Sequence, residues 1–184
     1  MTNYKVFDAA FPPHTVPAGV NGVIGYIGGA RALRVWPAAE WLPFQHLRQF
    51  PAYVPDMGAD PVKQAHDAVA RMHALGWATG EPDGRLIILD TEDTVNEAWY
   101  RAAAGVIVAS GFIPVNYGSL SVVLENGAAD VLAADWDGIP AIPAGKTLHG
   151  VQYAANVVYA GTKIDLSAVD SWFYLRGGVG ARHQ

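Results

Sequence analysis

Along the chain, short apolar runs alternate with segments whose apolar positions recur every three or four residues. Residues 5–10 and 22–29 are strand-like runs closed by turn residues, with a loop around Pro12, Pro13, His14 and Thr15 between them. Residues 37–47 carry Trp41, Leu42 and Phe44 among polar positions and read as a short helix with Pro37 near its first turn. A third strand over residues 49–56 is interrupted by Pro51 and Pro55. Asp60-Pro61 then predicts a helix start, because the Asp oxygen can accept free amide protons and Pro fits the first helical position. Val62, Ala65, Val69 and Met72 repeat at helical spacing, so one face should pack on a sheet, and Gly76 ends the element.

A turn over residues 80–84 leads into residues 85–90, where Leu86, Ile87, Ile88 and Leu89 make the unbroken apolar run of a strand buried on both faces. Thr94 and Glu97 have capping-box spacing and predict a helix through about Ser110. Strand, short helix and strand follow at residues 112–117, 120–125 and 130–135. Beyond these the helical periodicity stops. Residues 149–154 and 157–163 read as strands joined by short turns, and residues 164–169 as a closing turn or short helix. Strands alternating with helices imply an α/β fold with a parallel sheet, and near-continuous apolar strands favour a closed one. The expectation is a barrel whose C-terminal third lacks helices.

Composition narrows this. The 184 residues suit one domain spanning 1–184, shorter than the ~250 residues of a full eight-unit barrel. Apolar types make up 51% and charged types 16%, which excludes disorder, and 20 Gly with 12 Pro require many turns. A net charge of −5 with only 12 basic residues excludes nonspecific nucleic-acid binding. Without cysteine there is no disulfide framework, thiol nucleophile or thiolate metal site. The start of the chain lacks the apolar stretch of a signal peptide, so export by that route is not expected. Residues 102–124 carry no charge, but Gly111, Pro114, Asn116 and Gly118 interrupt them, giving helix end, strand and loop in place of a membrane span.

In parallel α/β architectures the chemistry lies beyond the carboxyl ends of the strands. Acidic residues stand at several of these ends: Asp8 on the first, Asp90 and Glu92 on the fourth, Asp135 on the sixth, and Asp56 nearer a loop. On an extended segment Asp90 and Glu92 would share one face with α-carbons ~6.6 Å apart. Two carboxyls in a low-dielectric cleft repel, so one holds its proton while the other stays ionised, the division of labour that glycoside hydrolysis needs. The plainer alternatives are that Asp90, Asp8 and Asp135 form turns, and that Glu92 and Asp93 favour the positive end of the next helix. Tyr26, Tyr117, Trp136, Gln152 and Tyr153 follow the same geography and could build a sugar-binding wall. Trp36, Trp41, Trp77, Trp99 and Trp172 read as structural. His66 and His73 share one helix, and His14, His46, His149 and His183 are scattered, so no histidine metal site and no cofactor is expected. A hard cation would have to bridge Asp8, Asp90 and Asp135. No nucleophile elbow, dinucleotide fingerprint or P-loop occurs.

These segments resemble the superfamily of glycoside hydrolase family 25 lysozymes, and most of all the "glycoside hydrolase-like" barrel domains of actinobacteria and their phages. The likeness rests on Val6-Phe7-Asp8, Gly25-Tyr26-Ile27-Gly28-Gly29, the strand ending Asp90-Thr91-Glu92, Pro114 to Tyr117, Ala134-Asp135-Trp136, Val151-Gln152-Tyr153, and Ile164-Asp165-Leu166. The resemblance implies an irregular TIM-like barrel of about five β/α units followed by three strands. It also implies hydrolysis of the β-1,4 bond between N-acetylmuramic acid and N-acetylglucosamine in peptidoglycan, at the cell wall. By position, Glu92 would be the general acid and Asp90 its partner. Asp8 and Asp135 would complete an acidic floor, Tyr117, Trp136, Gln152 and Tyr153 would shape the sugar subsites, and Asp165 would tie the barrel shut. Residues 52–56 depart from the aromatic-histidine pattern of active lysozymes. A second expectation therefore stands beside the first: a non-hydrolytic glycan-binding or structural module, for instance in a phage tail or wall assembly.

Overall fold

The computed structural model describes residues 3–77, 85–92, 94–142 and 147–179. Seven strands run parallel in chain order: β1 (Tyr4–Asp8), β2 (Gly22–Gly28), β3 (Arg48–Tyr53), β4 (Arg85–Glu92), β5 (Phe112–Ser119), β6 (Val131–Ala134) and β7 (Leu148–Tyr159). An eighth, β8 (Thr162–Val169), returns antiparallel between β7 and β1, and pairing of β2 with β3 closes the ring. The architecture is an irregular TIM-like barrel. Helix α1 (Ala38–Trp41) follows β2, α2 (Pro61–Ala74) follows β3, α3 (Glu97–Ala109) follows β4 and α4 (Leu120–Glu125) follows β5. From β6 onward the barrel wall continues in strands, where the helical periodicity of the sequence ends. The expected turn at residues 80–84, Asp93 and His183 lie outside the described residues.

Strand alternation produces two apolar layers. Inside the barrel sit Val6, Ile24, Phe50, Leu86, Ile88 and Val115, while Phe7, Val23, Ile87 and Leu89 point outward to the helices. Trp36, Trp41, Trp77 and Trp99 are buried in the outer layer, as their positions in helices and loops suggested. Among the described residues no helix is long and apolar enough to cross a membrane. The uncharged stretch instead divides into the end of α3, β5 and α4.

Local chemistry sets the helix ends. Asp60 Oδ1 accepts from the amides of Val62 at 2.9 Å and Lys63 at 3.1 Å, and Ala65, Ala68, Val69 and Met72 form the buried face of α2. Val62, in the first turn, is half-exposed and does not join that face. The Thr94–Glu97 capping box does not form. Asn96 caps α3 instead, accepting from the Trp99 amide at 3.1 Å, because its own amide is fixed by Asn126 Oδ1 at 2.7 Å. Glu97 turns outward to pair with Arg101 at 2.6 Å.

The C-terminal third departs most from the sequence expectation. Residues 148–159 form one long strand whose pairing shifts register between Gln152 and Ala154 and again before Val157. Ala160 and Gly161, with φ of 47° and 80°, make the two-residue loop into β8, a geometry that matches strand twist. Residues 164–169 are therefore strand, not a closing turn. A further helix, α5 (Ser171–Leu175), and a short strand, β9 (Gly178–Val179), lie at the end opposite the C-terminal mouth of the parallel strands. Phe173 of α5 plugs this end, its ring 4.9 Å from Phe50. Asp170 accepts from the Phe173 amide at 2.8 Å and holds His149 Nδ1 at 3.0 Å, while Asp130 holds His149 Nε2 at 3.0 Å. Trp172 stacks on the imidazole at 3.8 Å.

Candidate functional site

The alternation that packs the barrel also builds its mouth. On β4, Leu86 and Ile88 point inward, so Asp90 does too; Asp8 follows Val6, Tyr26 follows Ile24 and Tyr117 follows Val115. Asp8, Tyr26, Asp90 and Tyr117 line an interior cavity of about 10 Å³, the space of about one water. Above it opens a cleft of about 440 Å³ with Asp8, Asp165 and Tyr26 along its floor and Phe11, Leu33 and Lys163 among its walls.

Gln152 organises this floor. It is 2% exposed, yet both ends of its amide are used. Its Nε2 donates to Asp8 Oδ2 at 3.0 Å and to Asp165 Oδ2 at 3.4 Å, and its Oε1 accepts from Tyr117 OH and Trp136 Nε1, each at 2.7 Å. Two acids, a phenol and an indole are thereby fixed by one side chain. Asp165 Oδ1 also accepts from the Asn156 amide at 2.6 Å, where β7 changes register.

Burial dominates the electrostatics. Desolvation, then the charge of Asp165, pushes the Asp8 carboxyl up to about 7 despite the opposing bond from Gln152. Asp165 is raised by burial, with the Asn156 amide opposing. Asp90 is raised well above the usual carboxylate range by burial first, then by the charges of Glu92 and Asp8. Its Oδ1 is buried without a hydrogen-bond partner. Burial and the same carboxylates raise Tyr26 and Tyr117, which stay neutral donors.

A carboxyl raised by folding stabilises fully below its unfolded value near 3.8 and loses that contribution as pH climbs through the folded value. His149 acts in the same direction. Burial opposes its charge, but hydrogen bonds donated to Asp130 and Asp170 outweigh it and raise the imidazole above 6.5, so its contribution fades at higher pH. Thermal unfolding between pH 4 and 8 is thus expected to show stability falling with pH, by an amount on the order of a few kcal/mol. His149→Gln should remove only the upper part of that decline. A stability that climbs from pH 5 to 8 would contradict the assignment.

Glu92 stands apart from the floor. Its φ of 48° and the register shift after Asp90 turn its side chain to the rim, half-exposed, so the two acids do not share one extended face. Gly118 permits this turn, since a Cβ there would overlap the Glu92 carbonyl. Arg31 Nη2 holds Glu92 Oε2 at 3.0 Å, and Gly29, with φ of 109° and its Cα against Val54, carries the loop that places Arg31. Asp135 is exposed beyond β6, and its amide donates to the Gln152 carbonyl at 2.9 Å, but it lines neither the cavity nor the cleft. Trp136 is 65% exposed and held by Gln152, while Tyr153 lines neither space. The structure therefore brings together Asp8, Asp90, Tyr26, Tyr117 and Gln152, sets Glu92 and Trp136 at the rim, and adds Asp165, to which the resemblance gave only barrel closure. The register of β1 with β8, Asp8 opposite Asp165, is the signal that places it.

No group of three or more His, Asp or Glu among the described residues is arranged to hold a metal ion. His73 instead packs edge-on against Phe112.

Solved structures share this fold. An uncharacterised protein from B. stearothermophilus superposes with a TM-score of 0.76 at 15% identity, covering 95% of this chain and 100% of that one. A muramidase from Acremonium alcalophilum gives 0.67 at 13% identity, covering 91% and 94%. The modular autolysin LytC from Streptococcus pneumoniae, also solved in complex with a synthetic peptidoglycan ligand, gives 0.64 at 12% identity. The match to LytC covers 90% of this chain and 46% of LytC, just under half of its length. No protein-family model matches the sequence, and no curated protein does. The likeness at these identities is one of fold.

Proposed function

We propose that the protein is a peptidoglycan-directed glycoside hydrolase of the family 25 lysozyme type, cleaving the β-1,4 bond between N-acetylmuramic acid and N-acetylglucosamine at the cell wall. One observation carries this reading: a buried carboxyl with one unpaired oxygen, Asp90, stands behind an exposed one, Glu92, at the C-terminal mouth of the barrel. The lysozyme-like neighbours on the same fold support it.

In this scheme Glu92 gives its proton to the glycosidic oxygen as the bond to the anomeric carbon breaks, and recovers a proton from the water that completes hydrolysis. Asp90, held toward its neutral form, donates to a sugar acceptor such as the acetamido oxygen. Asp8 and Asp165, both accepting from Gln152, supply negative potential where positive charge develops on the sugar ring. Trp136 and Tyr117 present flat faces to pyranose rings. Asp135 and Tyr153 would act at outer subsites.

Incubation with purified peptidoglycan tests the scheme. Loss of turbidity with new reducing ends supports it, and wall binding without sugar release contradicts it. The latter outcome would establish the second reading, a glycan-binding or structural module. The contact favouring that alternative is the Arg31–Glu92 ion pair, which must open before Glu92 can serve as a proton donor.

A further inference from the structure

β4 reaches the mouth of the barrel through a bulge. Asp90 pairs with Tyr117 on β5 and Glu92 with Gly118, so Thr91 between them has no partner in the ladder. A straightened β4 would send Glu92 inward after Asp90, because side chains two apart on an extended strand share a face. Glu92 reaches the rim only through its φ of 48°, a conformation that a glutamate does not adopt unaided.

The fastening is the Thr91 side chain, which is 1% exposed. Its hydroxyl donates to the Tyr117 carbonyl at 3.1 Å and so ties the unpaired residue back to β5. The same oxygen accepts from Asn116 Nδ2 at 2.9 Å and, more distantly, from Asn126 Nδ2 at 3.5 Å. Both asparagines are fully buried and anchored elsewhere. Asn116 donates to the Leu89 carbonyl at 3.2 Å, while Asn126 donates to Asn116 Oδ1 at 3.3 Å and to the Thr94 carbonyl at 3.2 Å. Across Glu92, the Thr94 amide donates to the Thr91 carbonyl at 3.0 Å. A side chain without a hydroxyl at position 91 would strand a buried amide proton of Asn116 and release β4 from Tyr117.

We infer that Thr91 is a positioning residue: its hydroxyl holds the bulge that turns the Glu92 carboxyl to the rim. As far as it concerns rate, this rests on the proposed hydrolysis; the turn itself does not. Tyr117 extends the effect, since its carbonyl takes the Thr91 hydroxyl and its own hydroxyl reaches Gln152 at 2.7 Å. The rim acid and the polar floor are thus held in one register.

Thr91→Val, which keeps the shape and removes the hydroxyl, is compared with Thr91→Ser, which keeps the hydroxyl. Ile107→Val, a trimmed side chain in the buried face of α3 and outside the network, controls for lost packing alone. Two readouts are taken on the 184-residue chain: kcat and KM for a soluble peptidoglycan fragment, and hydrogen exchange of the Thr94 amide by NMR. Thr91→Val should lower kcat by about 10- to 100-fold with KM within about twofold, because a misplaced acid slows the chemical step and leaves binding intact. Its Thr94 amide should exchange at least about tenfold faster. Thr91→Ser and Ile107→Val should both stay within about threefold of the parent in rate and exchange. Thr91→Cys, similar in size but a weaker hydrogen-bonding group, takes the place of valine if that variant does not fold, with changes in the same direction. An unchanged kcat or exchange rate in the valine variant, a deficit that serine shares, or the same loss in Ile107→Val would overturn the inference. If the parent releases no sugar, the hydrolase reading falls, and Thr94 exchange alone upholds or overturns the role of Thr91.

Discussion

Gln152→Leu is expected to lower the unfolding free energy by about 2–4 kcal/mol, although leucine matches the volume and position of the side chain it replaces. The amide of Gln152 is the common partner of Asp8, Asp165, Tyr117 and Trp136. Without it, the Tyr117 hydroxyl loses its acceptor and the Asp8 carboxyl loses a donor in a space that holds about one water. Trp136 is exposed and can turn to solvent, so its share of the cost is small. Urea unfolding should show a lower midpoint with the slope unchanged, since the native barrel stays compact. Gln152→Glu should act differently. It adds another carboxyl to a cluster already short of protons, so its deficit should grow as pH rises from 5 to 8. A loss under about 0.5 kcal/mol for the leucine variant would mean that the polar floor does not hold the mouth together.

The floor was legible in the sequence where strand parity was unambiguous. Leu86 to Leu89 is so apolar that its span was clear, and alternation then sends Asp90 inward. The same reasoning reaches Asp8 from the buried Val6 and Phe7. Parity fails where the backbone leaves the extended region. Glu92 is two residues beyond Asp90, but a positive φ turns it to the rim, and only Gly118 on the neighbouring strand hints that a backbone passes so close.

Long-range pairing was harder to read. Residues 148–159 contain Asn156, with φ of 57°, in the middle of a strand, so the sequence looks broken where the strand only changes register. The loop into β8 uses Ala160-Gly161 and lacks the usual asparagine, which hid the hairpin and made residues 164–169 look like a closing turn. With that strand unseen, Asp165 had no reason to face Asp8. Asn96 in place of Thr94 as the cap of α3 is a similar case, since the deciding contact comes from Asn126, thirty residues away. Helix α5 carries little periodicity in five residues, and its place is set by Phe173 filling the barrel end against Phe50.

Hydrolysis, in this scheme, depends on Glu92. It is the more accessible of the two acids at the end of β4: Asp90 is 6% exposed while the Glu92 side chain is 51% exposed. Glutamine at this position keeps the size of the side chain and can still accept from Arg31, but it has no proton to give, so hydrolysis should fall by about 10²–10⁴-fold. Wall binding should persist, since the cleft, Trp136 and the acidic floor are untouched. The decisive measurement is the rate of reducing-end release from purified peptidoglycan by the parent and by Glu92→Gln, at equal amounts of wall-bound protein. The parent should release reducing ends, and the variant should lose at least about 100-fold of that rate. Equal rates for the two proteins, or no release by the parent, would contradict it.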